Sequence, residues 1–420
     1  MAEKLLLKKR NIEGALLDAL ADTPVVIIQG ARQTGKSTLA TMVAEKVNCK
    51  QLTLDDPQLL DAAKNDPLTF VEQYENGTLV IDEVQRCPEL LRMVKLSVDR
   101  YRRPGRFLLT GSADLLHIAG ANESLVGRAE TIRLYPFSMG EIGGFKEDFI
   151  TRLLDDDAIK SLPGTKAARR GDYAELVERG GYPDVVLREK NRRSAYLRNY
   201  IAGVFDHDAA VVSNLSHLDK LSKLFSTLAA TTSGIYVQAA AARAVGIPET
   251  SMGGYIKLLK DLWLIHELPA WGRNIAKRVA GKPKYSVADT GIACQVGNLH
   301  SAFLSDVTGG EAFGPLLESF VVAELFKQQS WSETDFRLYH FHDRESREAD
   351  IVVELPNGKI ICLEVKASRT ISRKDFGTLL YLRELLGERF HLGIVLYTGG
   401  EVQGHGDRLY SAPISAVWGA

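Results

Sequence analysis

The sequence predicts an α/β protein in which a parallel-sheet domain comes first, a helical segment follows, and a second α/β domain ends the chain. Three short runs, VVIIQ, TLVID and RFLLT, are almost fully apolar and alternate with helical patterns, which is typical of a parallel sheet covered on both faces. From about residue 173 to 268 leucine and alanine recur every three or four positions, and alternating strands follow residue 300. Since 420 residues exceed one ordinary core, we predict domains at 1–155, 156–300 and 301–420.

The composition narrows the class of protein. A net charge of −1 argues against a protein coated with positive charge for nucleic acid, although a local basic patch stays open. The four cysteines are far apart and have no CxxC spacing, so we expect no zinc site or disulfide scaffold, as in a reducing cytoplasm. No segment approaches the ~18 apolar residues of a membrane helix, and the N-terminal leucine run is too short for a signal peptide. We therefore expect a cytoplasmic protein without a membrane partner.

Four strands are expected in the first domain, at residues 25–29, 78–82, 106–110 and, in the segment TIRLY, 131–135. The polar stretch DDDAIKSLPGTKAARRGDY has no sustained apolar period and reads as a linker or exposed loop. The helical segment after it has turn signals at GGYP and TTSG.

The turn after the first strand matches GxxxxGK[ST], with Gly30, Ala31, Arg32, Gln33, Thr34, Gly35, Lys36 and Ser37, followed by Thr38. Its glycines let backbone N–H groups surround phosphate oxygens at a helix N-terminus, so all these residues are predicted to line a nucleotide site. Lys36 is then expected at the β- and γ-phosphates and the Ser37 hydroxyl on Mg²⁺. The alternative is an ordinary glycine-rich turn, which the strand before and the helix after it disfavour.

Other candidate site residues follow the next strands. Asp82 is predicted to reach magnesium through water and Glu83 to polarise the attacking water, with a surface acidic pair as the alternative. Thr110 and Ser112 are expected near the γ-phosphate, although simple turn chemistry explains them equally well. Arg128 is a candidate cation for the transition state, from its own or a neighbouring subunit, but arginine is more often a solvated surface residue.

The segments GARQTGKST, LVIDEVQRCP, FLLTGS and GRAETIRLYPFSMGE together resemble the AAA-type ATPases, specifically a prokaryotic group that joins this ATPase to a C-terminal domain of unknown function. The C-terminal part of the resemblance rests on ERGGYPDVV, YIKLLKDLWLI, KYSVADTG and LLESFVVAEL, so it covers the whole chain. The resemblance implies ATP as a cofactor. It also implies nucleotide-site roles for Gly35, Lys36, Ser37, Asp82 and Glu83.

Residues 236–265 have the spacing of a helix-turn-helix and form a candidate winged helix, with Lys257 and Lys260 as exposed cations toward DNA. Packing against the ATPase is the slightly favoured alternative, because Gly253 and Gly254 each weaken the second helix by about 1 kcal/mol relative to alanine. An excess of basic residues precedes this segment, and these residues indicate either a phosphate-binding surface or an exposed helix face. Its members are Lys166, Arg169, Arg170, Arg188, Lys190, Arg192, Arg193 and Arg198.

The stretch EADIVVELPNGKIICLEVKAS predicts a hairpin whose loop is a type I turn followed by left-handed Gly358 and a G1 bulge. This loop pairs Leu355 with Lys359 and puts Asp350 opposite Glu364. A two-residue Asn-Gly loop would separate those carboxylates, so the turn type decides the chemistry. The predicted register places one apolar wall on one face, made of Ile351, Val353, Leu355, Ile361, Leu363 and Val365, and the acids on the other.

Asp350, Glu364 and Lys366 form the D…ExK constellation of restriction-endonuclease-like folds, and the tail looks like a member of that superfamily. The resemblance implies that Asp350 and Glu364, with Glu318 from the preceding helix, hold Mg²⁺ beside a scissile phosphate while Lys366 positions or deprotonates water. A charged outer face on a half-buried hairpin is common, so an inactive or structural role is an equal alternative.

The sequence thus predicts a Mg²⁺-dependent ATPase that acts on nucleic acid, DNA in preference to RNA, and whose ATP state controls a nuclease-like C-terminal domain. The alternative is a nucleotide-dependent protein-interaction switch with a protein partner, whose C-terminal domain is a non-catalytic binding platform. Salt-sensitive binding to a nucleic acid that stimulates the ATPase separates the two. The oligomeric state stays open, since a ring or other homo-oligomer, a dimer and a monomer all suit the sequence.

Overall fold

The computed structural model describes residues 8–111, 125–155, 159, 162, 169–209, 218–272, 278 and 281–419. The chain divides into two compact units, Met1–Phe137 and Ser138–Ala420. The middle and tail segments both fall within the second unit, and the finer division at residues 155 and 300 stays a prediction. Two residues of the sequence-based hypotheses, Ser112 and Lys166, lie outside the described residues.

The first unit contains a five-stranded sheet that is parallel throughout and has the strand order β2-β3-β4-β1-β5. This arrangement confirms the predicted α/β class. Four of the strands coincide with the predicted ones to within two residues. The unpredicted strand is β2, which lies at the sheet edge and whose sequence CKQLT is half polar, so it lacks the apolar run of a buried strand. The strands are β1 (Val25–Gln29), β2 (Cys49–Thr53), β3 (Thr78–Asp82), β4 (Phe107–Gly111) and β5 (Ala129–Arg133).

The helices described in the first unit are α1 (Glu13–Asp22), α2 (Lys36–Ala44), α3 (Pro57–Asn65), α4 (Pro67–Glu72) and α5 (Leu90–Arg100). Local chemistry explains where two of them begin: Asp56 and Asp66 accept hydrogen bonds from the first turns of α3 and α4, and each is followed by proline. The central strands β1, β3 and β4 are buried along their whole length. Leu91, Val94 and Val98 of α5 pack in the same core cluster as strand residues, which explains the continuous apolar runs.

The second unit begins with short and long helices. They are α6 (Met139–Gly143), α7 (Phe149–Arg152), α8 (Arg170–Arg179), α9 (Pro183–Val186), α10 (Lys190–Gly203), α11 (Asp219–Ala230), α12 (Gln238–Val245) and α13 (Met252–Asp261). Gly246 ends α12 with φ +67°, a left-handed conformation that favours glycine. An antiparallel pair then follows, β6 (Ile265–Leu268) with β7 (Lys284–Val287), and Ile235 forms an additional antiparallel bridge to Lys284.

The rest of the second unit is an α/β arrangement around a six-stranded sheet of order β12-β13-β11-β10-β9-β8. Its helices are α14 (Thr290–Gly297), α15 (Ser301–Ser305), α16 (Gly310–Gln328) and α17 (Gly377–Leu386). Its strands are β8 (Arg337–His342), β9 (Glu348–Glu354), β10 (Ile360–Lys366), β11 (Phe390–Tyr397), β12 (Gln403–Gly404) and β13 (Leu409–Pro413). Strands β8, β9 and β10 are antiparallel neighbours, whereas β10 and β11 are parallel and joined through α17.

The predicted hairpin register is confirmed: Leu363 pairs with Ile351, and Gly358 has φ +77°. The half-buried hairpin on which the structural alternative was based does not occur here, however. Val352, Ile360 and Cys362, which share the face of the acids, are buried in a core cluster that includes residues of α17. Both faces of the hairpin are therefore covered, and the carboxylates lie at the end of a buried surface.

Within the described ranges, no helix combines the length and the apolarity that a membrane crossing requires.

Candidate functional site

The turn between β1 and α2 brings backbone close to backbone. A Cβ at Gly30 would lie 2.1 Å from the carbonyl oxygen of Leu134, so only glycine fits there. Gly35 has φ +94° and stands at the N-cap of α2, where it offers no capping side chain. The first N–H groups of α2 therefore point at a turn that an anion can approach.

Lys36 lies within this turn and is 5% exposed. Its ammonium donates to the carbonyl oxygens of Gly30 at 3.0 Å and Ala31 at 2.8 Å. The Thr34 hydroxyl donates to the same Ala31 carbonyl at 2.9 Å. This hydrogen bond within the turn stabilises its conformation. Arg32, Gln33, Ser37 and Thr38 are exposed at the turn.

Hydroxyls and a carboxylate meet at the carboxyl ends of β1, β3 and β4. The Ser37 hydroxyl donates to Asp82 Oδ1 at 3.0 Å, and the Thr110 hydroxyl donates to the same oxygen. Thr110 in turn accepts the backbone N–H of Glu83 at 3.1 Å. The structure thus brings together the three predicted residues Ser37, Asp82 and Thr110. Hydroxyl and carboxylate oxygens are the hard ligands that suit Mg²⁺.

Glu83 has a backbone conformation that is uncommon for a residue with a side chain. Its φ of 58° lies in the left-handed region, and a short 3₁₀ turn, Val84–Arg86, follows directly. The Glu83 carboxylate accepts a hydrogen bond from the side-chain amide of Gln85. Strained conformations of this kind cluster at functional sites, and here the strained residue adjoins the Ser37–Asp82 pair.

Arg10 is a site residue that sequence reasoning missed. It is 5% exposed, and its guanidinium donates to the carbonyl oxygens of Thr34 at 2.8 Å and Tyr135 at 2.7 Å. Its side chain also stacks over the Phe137 ring at 4.7 Å. Arg10 therefore ties the phosphate-binding turn to the segment after β5. The sequence LLLKKR gives no signal that separates Arg10 from the neighbouring lysines.

Arg128 lies at the other end of the sheet from the turn. Its carbonyl accepts from the N–H of Val25, the first residue of β1, so the strand length of about 13 Å separates it from the turn of its own chain. Its guanidinium bonds Asp99 Oδ1 at 2.5 Å and the Val126 carbonyl at 3.1 Å. This geometry does not agree with catalysis by Arg128 at the turn of its own subunit. A contribution of Arg128 to the site of a neighbouring subunit stays a prediction.

A second cluster of chemical interest lies in the second unit. Asp350 Oδ2 accepts the backbone N–H of Val365 at 2.7 Å, and Lys366 donates to Glu364 Oε1 at 2.6 Å. The other oxygen, Glu364 Oε2, is buried and has no hydrogen-bond partner among the residues that the structure describes. Lys284 of β7, which sequence reasoning did not assign to this cluster, bonds Glu318 Oε1 at 2.9 Å and Glu348 Oε1 at 2.5 Å.

Burial and mutual repulsion shape the electrostatics of this cluster. Burial, followed by the nearby Asp350 charge, raises the pKa of Glu364 to about 8 and raises the pKa of Glu318 strongly. Burial alone would lower the pKa of Lys284, but the Glu318, Asp350 and Glu348 carboxylates outweigh it and raise that pKa. The carboxylates thus act on one another, and the Lys284 ammonium is the shared counter-ion of Glu318, Asp350 and Glu348, while Lys366 is that of Glu364.

No group of three or more histidine, cysteine, aspartate or glutamate residues suited to a metal ion occurs in the part of the chain that the structure describes. The three predicted metal ligands Glu318, Asp350 and Glu364 lie in one cluster. The Lys284 ammonium, however, bonds Glu318 and Glu348 and interacts with Asp350, so a cation is already present there. In the observed arrangement the residues do not fit a divalent ion.

The parallel sheet and its glycine-lysine turn define a P-loop nucleotide-binding domain. Comparison with known families agrees: residues 22–143 match the AAA domain family, residues 170–302 a domain of unknown function (DUF8612), and residues 313–417 a domain of unknown function (DUF4143). The N-terminal part of the chain is therefore an AAA-type ATPase domain, as the resemblance predicted. The restriction-endonuclease-like character of the C-terminal part stays a prediction.

Two relatives cover most of the chain. The uncharacterized proteins Rv2008c of Mycobacterium tuberculosis and Mb2031c of Mycobacterium bovis are each 27% identical to it over 383 residues, which is 90% of this chain and 79% of theirs. Among solved structures, the Walker-type ATPase PABY2304 of Pyrococcus abyssi has a TM-score of 0.41 at 15% identity and covers 69% of this chain and 96% of its own. AMPPCP-bound DnaA from Aquifex aeolicus has a TM-score of 0.27 at 14% identity, covering 59% and 85%. Both TM-scores lie below 0.5, so neither similarity establishes a shared fold.

Proposed function

We propose that this protein hydrolyses ATP with Mg²⁺, acts on nucleic acid, and uses its nucleotide state to govern the C-terminal domain. The observation that carries the ATPase part is the network in which Ser37 and Thr110 both donate to Asp82 beside the glycine turn. A hydroxyl from the turn and a carboxylate from the end of another strand of the sheet, here β3, are the pair that P-loop ATPases use around their metal.

The roles of the chain's own groups follow from their positions. The backbone N–H groups of the turn and the α2 N-terminus bind the phosphates, and the Ser37 hydroxyl and Asp82 carboxylate would hold Mg²⁺, which would neutralise phosphate charge. Lys36 provides a cation whose ammonium donates to the carbonyl oxygens of Gly30 and Ala31, so it lies inside the turn that would receive the phosphates. Glu83 is the carboxylate assigned to orient the attacking water, and Thr110 fixes the Glu83 backbone.

The nucleic-acid part of the proposal is supported by the order of elements in residues 219–287. Three helices, α11, α12 and α13, are followed by the antiparallel strands β6 and β7, and a bridge at Ile235 lies between the first two helices. This is the element order of a winged helix, with α13 as the reading helix. Lys257 and Lys260 on α13 pair with Asp261 and Glu267, both at 2.6 Å. Exposed pairs of this kind are worth about 0–1 kcal/mol, so phosphate can compete for both lysines.

The test is the ATPase rate of the full chain with and without single-stranded, duplex and branched DNA, together with RNA. We expect DNA to stimulate hydrolysis and the binding to weaken as salt rises. A rate that ignores every polymer, with no salt-dependent binding, would refute the nucleic-acid part and leave the ATPase part intact.

A second candidate is a nucleotide-dependent protein-interaction switch in which the C-terminal domain is a binding platform. The observation that favours it is the position of Lys284 among the carboxylates of the D…ExK cluster. Absence of Mg²⁺- or Mn²⁺-dependent cleavage of any DNA or RNA by the parent protein would favour this candidate. Cleavage that is lost in Glu364→Ala would support a nuclease instead.

A further inference from the structure

Lys284 is buried to a degree that is unusual for a lysine, with 1% of its side chain exposed. It is the first residue of β7 and pairs with Leu268 of β6. The chain on either side of this strand pair is bonded to the edge strand β8: His340 donates its N–H to the Pro269 carbonyl at 3.0 Å, and His340 Nε2 lies 2.9 Å from the Lys282 carbonyl. The ammonium is therefore held in place by backbone structure as well as by its ion pairs.

The carboxylates around Lys284 come from two other elements. Glu318 is on α16 and accepts at 2.9 Å, whereas Glu348 is on β9 and accepts at 2.5 Å. Asp350, two residues further along β9, is 8% exposed and adds to the field at Lys284. Lys366 pairs with Glu364 at 2.6 Å and thus neutralises a different carboxylate of the cluster.

A buried group of like charges needs a counter-ion nearby, or its members take up protons as their pKa values rise. Four carboxylates, those of Glu318, Glu348, Asp350 and Glu364, face two ammonium groups, those of Lys284 and Lys366. Without Lys284, the Glu318 and Asp350 carboxylates would share a buried region without their nearest cation. The Lys284 ammonium therefore lies where its positive charge favours the ionised form of the neighbouring carboxyl groups.

We propose that Lys284 is the resident cation of this acidic cluster, and that its ammonium takes the place a divalent cation would occupy. Replacing it with a neutral side chain turns the cluster into a divalent-cation site built from Glu318, Glu348 and Asp350. This inference concerns cation occupancy alone and does not depend on ATP hydrolysis or nucleic-acid binding.

The probe is MnCl₂ titrated into the nucleotide-free full chain, with free Mn²⁺ followed by electron paramagnetic resonance. We expect Lys284→Met to bind one more Mn²⁺ per chain than the parent. The matched control Lys284→Arg keeps the positive charge and should bind no more than the parent. The additional site should disappear in the double variant Lys284→Met with Glu348→Gln, because Glu348 bonds the Lys284 ammonium directly.

The proposal fails if Lys284→Met gains no Mn²⁺ site, or if the parent loses one Mn²⁺ per chain on Glu348→Gln alone. Thermal unfolding provides a second measurement when the neutral variant folds poorly. Mn²⁺ must then raise the melting temperature of Lys284→Met more than that of the parent and of Lys284→Arg. An equal rise in all three would overturn the proposal.

Discussion

The glycine turn of the first unit and the acidic cluster of the second unit use similar residues in opposite ways. Each has carboxylates at the end of a buried strand and a buried lysine beside them. In the turn, Lys36 bonds neutral carbonyls and Asp82 accepts from hydroxyls. In the cluster, Lys284 bonds the carboxylates themselves. The Lys36 ammonium lies against the carbonyls of a turn shaped for an anion, whereas the Lys284 ammonium is held by buried carboxylates and is part of the structure.

The largest effect that would test this contrast is on stability. Lys284→Met leaves buried carboxylates without their counter-ion, so we expect the free energy of unfolding to fall by about 3–5 kcal/mol. The matched control is Lys257→Met, which breaks an exposed pair with Asp261 and should cost about 0–1 kcal/mol. Urea unfolding in EDTA measures both. Equal losses would mean that Lys284 is not a structural ion.

The complementary experiment is on the turn. Lys36→Ala removes the cation assigned to the phosphates, so we expect the rate of ATP hydrolysis to fall by about 100-fold or more. The control Lys50→Ala changes a lysine of β2 that bonds the exposed side chain of Gln73 and should leave the rate unchanged. Phosphate release under saturating ATP is the measurement, and parental activity in Lys36→Ala would remove the assignment.

A smaller effect is expected where an arginine supports the turn without meeting the nucleotide. Arg10→Ala removes two charge-assisted hydrogen bonds to buried carbonyls, each worth about 1.5–3 kcal/mol. We expect weaker nucleotide binding by isothermal titration together with a lower melting temperature. Lys9→Ala, at an exposed neighbouring position, should change neither. Unaltered binding by the Arg10 variant would mean that the turn holds its shape without this brace.

The smallest effect concerns Glu147, a buried carboxylate of the second unit outside the acidic cluster. Burial raises its pKa to about 7 from the ordinary 4.5. Because the folded-state pKa is the higher one, the folded state holds the proton more tightly. The stabilisation is complete below about pH 4.5 and is lost as the pH rises through about 7.

We therefore expect the parent to lose about 1–3 kcal/mol of unfolding free energy between pH 5 and 8 relative to Glu147→Gln. Chemical unfolding of both proteins across this range gives the difference. A constant difference between the two proteins across this range would contradict the raised pKa of Glu147.

Local patterns predicted those parts of the molecule that local chemistry controls. The turn from Gly30 to Ser37 and the strands beside it followed from a motif and from apolar runs. The hairpin register followed from LPNGK, because loop length and the glycine after the turn determine which residues pair. The edge strand β2 was missed, since a strand with one open side needs no continuous apolar run.

Contacts between distant segments decided the remainder. Nothing in LLLKKR distinguishes Arg10 from Lys8 and Lys9, and nothing in GKPKYSV indicates that Lys284 reaches the carboxylates of α16 and β9. Arg128 is close in sequence to motif residues, yet the parallel strands place it at the far end of the sheet. Likewise, α17 covers the face of the hairpin that the alternating pattern left open.

The sequence by itself determined the parallel sheet with its phosphate-binding turn, and it determined that Asp350 lies opposite Glu364. These features depend on turn chemistry and on side-chain periods of two and 3.6 residues, which act over a few neighbours. The tertiary structure alone decided which cation each buried carboxylate meets. The Coulomb energy of such a pair depends on the distance between charges and on their burial, and both are set by elements that lie far apart along the chain.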